Sequence, residues 1–157
     1  MSLNPKGAKK RKNGRPGWTY ARALAAVPYV LPIVRSLREH RLELQALWLR
    51  ARRLANRPGR PDRQTLIAQQ ELQQAIHAAE QAFEDALREL HTLDLVCEDP
   101  IQGVVLYPIQ YSRKPVWLIF DLFEPGYLRF WRYQDEGPEV RRPINAGEPE
   151  SPEGLLA

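Results

Sequence analysis

The polar side chains that could form a binding or catalytic site cluster toward the C-terminal end of the chain. Acidic residues there lie close to a pair of arginines, Arg141 and Arg142. Carboxylates beside guanidinium groups at the end of a sheet can clamp a ligand, but more often they form ion pairs that hold a terminal segment in place. The sequence favours this second interpretation, a salt-bridged clasp. The candidate ligand or interaction residues are Glu124, Trp131, Asp135, Glu136 and Arg141.

Other catalytic patterns are missing from the sequence. No glycine-rich phosphate loop and no Gly-x-Ser-x-Gly motif occurs. His77 and Glu80 lie on one helical face, but metal sites in helical bundles repeat this spacing on other helices. The single cysteine, Cys97, excludes an intramolecular disulfide and a cysteine-rich zinc site. We therefore expect no catalytic residue, metal or cofactor, and an enzyme is the less favoured class.

A second kind of chemistry comes from basic segments. Residues 1–17 carry six lysines and arginines and no acidic residue, whereas the rest of the chain holds 17 basic and 19 acidic side chains. Another arginine cluster spans residues 50–63, where Asp62 is the one acid. Basic segments attract phosphate backbones without reading sequence, although most are simply solvated. The candidate nucleic-acid contacts are Lys9, Lys10, Arg11, Lys12, Arg53, Arg57 and Arg60.

Two long helices precede the polar cluster. Thr19 is a suitable N-cap, and apolar side chains recur at intervals of three and four over residues 29–55. Pro28 predicts a break near Val27 or a helix that restarts at Pro28, because a proline removes a backbone donor and clashes with the preceding turn. Pro32 predicts a kink just after that point.

The second helix follows a loop rich in proline and glycine at residues 56–61. Asp62 can cap this helix, whose apolar spacing continues to about Leu93. Two helices of this length joined by a short loop form an antiparallel α-helical hairpin, predicted over residues 20–95.

Beyond residue 100 the pattern changes to short β-branched and aromatic runs separated by turns. These runs predict a three-stranded antiparallel β-meander over residues 103–134. Pro108 predicts that the first strand is an edge or bulged strand. The second strand is apolar on both faces and is predicted to be central, with Trp117 and Phe123 together on one face. The predicted strands are residues 103–111, 116–123 and 127–133.

The sequence therefore predicts an α+β fold in which a long antiparallel α-helical hairpin packs on a three-stranded antiparallel β-meander. Residues 18–144 form a single domain between a disordered basic tail at 1–17 and a disordered acidic tail at 145–157. The apolar run at residues 23–34 imitates a signal peptide, but prolines interrupt it and arginines follow it. It is also shorter than the ~20 residues of a membrane span. We expect a cytoplasmic protein with no membrane segment.

Several motifs, in their order and spacing, resemble those of one family. They begin with Trp18-Thr19 and Pro28. The later motifs are Gly103-x-x-x-Tyr107-Pro108, Val116-Trp117-Leu118, Leu122-x-Glu124, Phe130-Trp131 and Glu136-Gly137-x-x-x-Arg141-x-Pro143-Ile144. Over residues 18–144 the chain resembles the prokaryotic proteins grouped as domain of unknown function 2203. The resemblance implies the hairpin-and-meander fold and no assigned activity.

The chain also departs from that family pattern. The pattern has an aspartate before the aromatic-proline pair, a Cys-Trp pair and a glycine in the central motif, a histidine after the last tryptophan, and a phenylalanine after the acidic turn. At those places this chain has Leu106, Ile119, Phe120, Phe123, Arg132 and Pro138. An active site that used the Asp, Cys or His would therefore be lost here.

Three function classes follow from these features. The first is a non-enzymatic interaction protein that self-associates, as a dimer, through its helical hairpin or its sheet. The second is an RNA- or ribosome-associated factor that uses the basic N-terminal tail and the arginine-rich hairpin tip. The third is a small-ligand binder or enzyme at the end of the sheet.

Overall fold

The computed structural model describes residues 17–110 and 114–144. Within them, the chain forms two helices followed by a five-stranded antiparallel sheet whose strands lie in sequence order. The predicted α+β fold, with a helical hairpin and an antiparallel sheet, is confirmed. Neither helix has a stretch long and apolar enough to cross a membrane, as far as the described part of the chain extends. Except for Gly17, the predicted tails lie outside the described residues.

Helices α1 (Tyr20–Ala55) and α2 (Arg63–Thr92) form the two sides of the hairpin. Both predicted caps are present. The side chains of Thr19 and Asp62 each accept a hydrogen bond from the backbone N–H three residues later, at 3.1 and 2.8 Å. Each bond satisfies one of the N–H groups that lack a partner in the first turn of a helix. The hydrogen bonds from Thr65 also lower the pKa of Asp62.

The predicted break near Val27 is wrong, because α1 continues through both Pro28 and Pro32. Each internal proline removes one backbone hydrogen bond and costs about 3 kcal/mol. Packing offsets this cost, since Ala23 before the prolines, Val30 between them and Val34 after them are all buried in the same core. Burial of a side chain such as valine contributes about 1.5–3 kcal/mol. A stripe of such residues on both sides of the prolines therefore keeps the helix continuous.

Trp18 closes the base of the hairpin. Its indole N–H donates a hydrogen bond to the carbonyl of Leu93 at 2.8 Å, which joins the start of α1 to the end of α2. The same indole packs edge-on against the ring of Tyr107 in the sheet, with 4.8 Å between the ring centroids. One side chain thus connects both helices to the sheet.

The predicted meander gains a strand at each side. Its three predicted strands are present, each shorter than expected, and a four-residue and a two-residue strand flank them. Runs this short are too brief to show an alternating pattern, so the sequence signal for them is weak. In chain order the strands are β1 (Val96–Asp99), β2 (Val104–Ile109), β3 (Val116–Asp121), β4 (Leu128–Tyr133) and β5 (Arg142–Pro143).

Pro108 lies in β2, an interior strand, at a place where no backbone donor is needed. The N–H of Leu122 bonds to the carbonyl of Gly103 at 3.0 Å, so alternate pairs from there are hydrogen-bonded and the pair containing Pro108 is not. The nitrogen of Pro108 therefore points away from β3. On that side the neighbouring strand is β1, which begins at Val96. Val96 is opposite Leu106, so the pairing with β1 stops two residues before Pro108. The prediction that this is an edge strand is therefore wrong, since β2 lies between β1 and β3, although β1 does not reach as far as Pro108.

The helices cover one face of the sheet. Leu118 and Phe120 of β3 belong to the main core, which also contains helix residues such as Leu37. The alternate side chains point to the second face of the sheet and form a separate small cluster there. We call it the second-face cluster: Val104, Leu106 and Ile119, with Trp117 and Phe130 partly buried against them.

The predicted position of Phe123 beside Trp117 on that second face is wrong. β3 ends at Asp121, so the strand alternation no longer applies to Phe123. Its ring is 61% exposed and lies 5.1 Å from the guanidinium of Arg38, a residue of α1. Phe123 therefore belongs to the helix side of the molecule.

The distal half of the hairpin extends beyond the sheet. The core shared with the sheet takes its α1 residues from the first half of that helix, up to Leu37, and its buried α2 residues from Ala86 onward. We call residues 39–82 the arm. Its buried residues form a second core that only the two helices contribute to. They are Leu44, Leu47, Leu72, Ile76 and Ala79.

Gly103, in the connection between β1 and β2, allows a direct test of this packing. Its φ is +74°, and an added Cβ would lie 2.5 Å from the Cβ of Leu122. We predict that Gly103→Ala lowers the free energy of unfolding by ~1–2 kcal/mol for the left-handed backbone and by a further ~1–3 kcal/mol for displacing Leu122. Gly126→Ala is the control, since its φ is +75° with no atom within 4 Å of the added Cβ. If urea denaturation gave the same loss of stability for both variants, the close contact between residue 103 and Leu122 would be contradicted.

Candidate functional site

The predicted polar residues do not meet in one site. Arg141 contacts Asp121 on the second face of the sheet, at 2.7 Å. Arg142, the next residue, contacts Glu136 at 2.6 Å, close to the ring of Trp131 in the main core. Neighbouring residues of an extended segment point to opposite faces, so the two arginines separate the cluster into two parts.

The first part is a clasp that joins β5 to the end of β4. Glu136 accepts hydrogen bonds from Nε and Nη2 of Arg142 at 3.1 and 2.6 Å, and from the backbone N–H of Tyr133 at 2.8 Å. These bonds, with that from Arg142 the strongest influence, lower the pKa of Glu136. The guanidinium of Arg142 also lies 5.5 Å from the ring of Trp131. All these contacts are within the protein, as expected for a clasp.

The other candidate residues stand apart from the clasp. Asp135 forms an ion pair with Lys114 at 3.0 Å, and both side chains are more than half exposed. Glu124 lies in the turn between β3 and β4, where its carbonyl accepts a hydrogen bond from Tyr127 at 2.9 Å. Arg141 pairs with Asp121 and not with Glu124. The geometry does not bring Glu124, Asp135 and Arg141 together around a ligand.

The second part involves Asp121, which the sequence pattern did not single out. Its Oδ2 lies 2.7 Å from Nη1 of Arg141, and its Oδ1 accepts the backbone N–H of Phe123 at 3.0 Å. Asp121 is 8% exposed, so this pair is better shielded from water than the clasp. The Arg141 guanidinium also lies 5.8 Å from the ring of Phe130. Arg141 thus ties the last described segment to the second-face cluster.

A further ion pair, also missed from the sequence, crosses the second face. Arg132 of β4 is 4% exposed and bonds through both terminal nitrogens to the carboxylate of Glu98 in β1, with Nη1 to Oε2 at 3.2 Å. Strands β3 and β2 lie between these residues, a separation of three strand spacings of ~4.8 Å each. The paired side chains therefore span the strands that carry Ile119 and Leu106. The sequence gives one sign of this ion pair: Arg132 is two residues after Phe130 in the strand, so both side chains point to the same face.

Three positions at which this chain departs from the family pattern it resembles lie together on the second face of the sheet. They are Leu106, Ile119 and Arg132. Leu106 and Ile119 are opposite each other in β2 and β3, and both belong to the second-face cluster. Arg132 pairs with Trp117, a neighbour of Ile119 on the same face. Where the family pattern has Asp, Cys and His, this chain has two buried aliphatic residues beneath a buried ion pair. In this chain the second face of the sheet therefore consists of packed apolar side chains and an ion pair.

Cys97 is not an activated nucleophile. It lies in β1 as a free, partly buried thiol. Burial raises the pKa of the thiol to about 11, and the nearby Asp99 and Glu98 carboxylates act in the same direction. A thiol of this kind is almost entirely protonated at neutral pH and therefore reacts slowly. Within residues 17–110 and 114–144, no three His, Cys, Asp or Glu side chains are grouped as metal ligands.

The arginine-rich tip contains a groove between the helices. Arg53 and Arg57 line it together with Arg50, above a floor that includes Leu54 and Leu72. The groove has a volume of about 490 Å³. Arg60 is exposed in the loop that joins the helices. The other nucleic-acid candidates, Lys9, Lys10, Arg11 and Lys12, lie outside the described residues.

Replacement of Arg132 tests how much the buried Arg132–Glu98 ion pair contributes to the stability of the fold. Arg132→Met leaves the Glu98 carboxylate without its partner, and we predict a loss of ~3–5 kcal/mol in the free energy of unfolding. Arg132→Met combined with Glu98→Leu should recover most of that loss, because no buried charge remains. Urea denaturation of both variants measures the difference.

An exposed pair on α2 provides the control for that experiment. Asp85 and Arg88 are 2.9 Å apart and mostly exposed, so Asp85→Asn should cost less than ~1 kcal/mol. A loss for Arg132→Met no larger than that for Asp85→Asn would contradict a structural role for the Arg132–Glu98 pair.

Comparison with known proteins places this architecture in a family. The family model described as Uncharacterized conserved protein (DUF2203) matches residues 17–144, which include both helices and all five described strands. No curated protein and no solved structure matches the chain. The match covers most of the sequence, and the chain therefore belongs to the DUF2203 family of uncharacterized conserved proteins.

Proposed function

We propose that this protein is a non-enzymatic interaction protein that self-associates through the arm of its helical hairpin. The observation that carries the proposal is the apolar surface of the arm. Leu42 and Leu49 of α1 are 37% and 46% exposed, and Trp48, Leu66 and Ile67 are also exposed. Leu42 and Leu49 lie within ~20° of each other around α1, so they form one apolar strip, and an exposed strip of this kind is typical of a protein–protein contact.

The small core of the arm supports the same proposal. Two helices alone bury only one stripe of each, so the opposite side of each helix faces solvent. The arm core has five buried side chains, of which one is an alanine. A second copy packed on the arm would cover apolar side chains that this core leaves exposed, and it would bring the number of packed helices to four. Helical bundles of four are a common stable arrangement.

The sheet is a less suitable surface for self-association. Its helix face is covered, and its second face holds Val104, Leu106 and Ile119 already buried within the monomer. The Arg132–Glu98 pair spans that face. Phe123, the most exposed large apolar residue of the sheet region, contacts Arg38 on the helix side. Among the described residues, the arm therefore carries more exposed large apolar residues than the sheet region does, five against two, Val96 and Phe123.

The non-enzymatic assignment rests on the arrangement of the polar residues. Glu136 and Arg142 bond to each other, Arg141 bonds to Asp121, and Arg132 bonds to Glu98. Groups that serve a reaction need to face a shared space, with a nucleophile or base within hydrogen-bond reach of its partner and of the substrate. These side chains instead bond to one another in separate pairs.

Sedimentation equilibrium combined with hydrogen exchange tests this proposal. We predict a dimer whose population rises with protein concentration, and amide protection that rises with concentration in residues 39–82 while residues 96–133 stay unchanged. Protection that rises only in the sheet would place the contact there. A monomer at every concentration would contradict self-association.

A second candidate function is RNA binding at the hairpin tip. The observation that favours it is the groove in which Arg50, Arg53 and Arg57 lie around an apolar floor. Among described residues, these three side chains form no ion pair. Guanidinium groups beside an apolar surface suit phosphates and stacked bases.

A salt titration tests this second candidate. We predict that single-stranded RNA binds at low salt, and that Arg53→Gln with Arg57→Gln and Arg60→Gln lowers the slope of log affinity against log salt by ~0.7 for each phosphate that is no longer neutralised. Deletion of residues 1–17 should weaken binding in the same way. The control removes three exposed arginines elsewhere, by Arg22→Gln, Arg35→Gln and Arg129→Gln. No RNA retention by the full chain at low salt would contradict the candidate.

A further inference from the structure

An exposed side of α1, which borders the arm core at Arg50 and Arg53, has an ordered pattern. Apolar residues lie at its centre, acidic residues toward the base of the hairpin and arginines toward the tip. All are exposed, at intervals of three and four that place them on one side of the helix. We call this surface the outer face of α1: Glu39, Leu42, Glu43, Ala46, Leu49, Arg50 and Arg53.

The outer face is nearly symmetric about Ala46, but with opposite charge on its two sides. Leu42 and Leu49 lie four residues before and three residues after Ala46. Toward the base, the charged positions seven and three residues from Ala46 are both glutamate. Toward the tip, the charged positions four and seven residues from Ala46 are both arginine. The face therefore carries two negative and two positive charges.

We propose that two copies of the chain pair antiparallel through the outer face of α1, around a twofold axis that passes near Ala46. This inference rests on the proposed self-association and specifies its geometry. In that pairing Leu42 of one copy lies beside Leu49 of the other, because they are ~6 and ~4.5 Å from the axis along the helix. The small side chain of Ala46 lets the two helices approach at the crossing point.

The charges fit the same arrangement. Glu39 and Arg53 are each seven residues from Ala46, or ~10 Å along the helix, so they meet across the axis. Glu43 and Arg50 lie ~4.5 and ~6 Å from the axis and meet in the same way. The twofold axis repeats each contact, which gives four ion pairs. A parallel pairing would place Glu39 against Glu39 and Arg53 against Arg53 and is therefore disfavoured.

The outer face shares Arg50 and Arg53 with the groove that is the candidate RNA surface, and its balance of charge indicates which partner fits the whole face. Its glutamates repel phosphates, whereas the groove arginine Arg57 and the loop arginine Arg60 lie beyond the face toward the tip. A polyanion would therefore favour the tip. A second copy of the chain, whose charges are reversed along the antiparallel direction, matches the whole outer face.

Charge reversal tests the pairing. In Glu39→Arg/Glu43→Arg and in Arg50→Glu/Arg53→Glu, four attractive contacts become repulsive, and we expect the dimer dissociation constant to rise by about tenfold or more. An equimolar mixture of the two variants should form a one-to-one heterodimer, because every contact is attractive again. The chain with all four reversals should dimerise as the wild type does. Sedimentation equilibrium measures each case, and circular dichroism checks that each variant keeps its helices.

A control and a cross-link make the result specific. Arg52→Glu/Arg60→Glu changes the net charge as Arg50→Glu/Arg53→Glu does, but at positions outside the outer face, and should leave the dimer unchanged. With Cys97→Ser as background, Ala46→Cys should form an intermolecular disulfide under mild oxidation. Gln45→Cys, also exposed but turned ~100° around the helix, should not.

The outcomes separate this inference from the proposed function. A wild-type dimer that keeps its affinity in both charge-reversed variants would overturn the antiparallel pairing and leave self-association in place. Equal cross-linking at positions 45 and 46 would also overturn the pairing. A wild-type monomer at every concentration would overturn both. Heterodimer formation by the mixed variants, with the control unchanged, would establish the pairing.

Discussion

The difference in length between the helices and the strands determines the shape of this protein. α1 and α2 have 36 and 30 residues, which correspond to ~54 and ~45 Å at 1.5 Å per residue. Strands β2, β3 and β4 have six residues each, or ~20 Å. The sheet therefore supports only the base of the hairpin. The arm has to be stabilised by its own helices or by a partner, and the proposals on self-association follow from that constraint.

The sheet at the base of the molecule is, by contrast, covered on both faces by the protein's own side chains. The helices cover one face of the sheet, and the Arg132–Glu98 pair spans the other over Leu106 and Ile119. The family pattern has reactive residue types at these positions, and this chain has aliphatic groups and an ion pair. In this chain, our proposals therefore place the contact with a partner on the arm.

The parts of the fold that could be predicted from the sequence depend on local signals. Thr19 and Asp62 mark the starts of the helices because capping is decided within one turn. The course of α1 through Pro28 could not be predicted, since it depends on burial of Ala23 and Val30 against a sheet about seventy residues later. The same limit applies to the candidate site. Asp121 and Arg141, like Glu98 and Arg132, meet only through strand register, which the residues of the connecting turns do not reveal.

The distance between the two hairpin tips in the dimer tests the central claim most directly. A spin label at Asn56→Cys, with Cys97→Ser, lies ten residues beyond Ala46 in each copy. Antiparallel pairing around Ala46 places the two labels ~30 Å apart along the helix direction, as electron paramagnetic resonance can measure. Labels separated only by the helix-to-helix spacing of ~10 Å would indicate parallel arms and contradict it. The absence of any dipolar coupling at high protein concentration would contradict self-association as well.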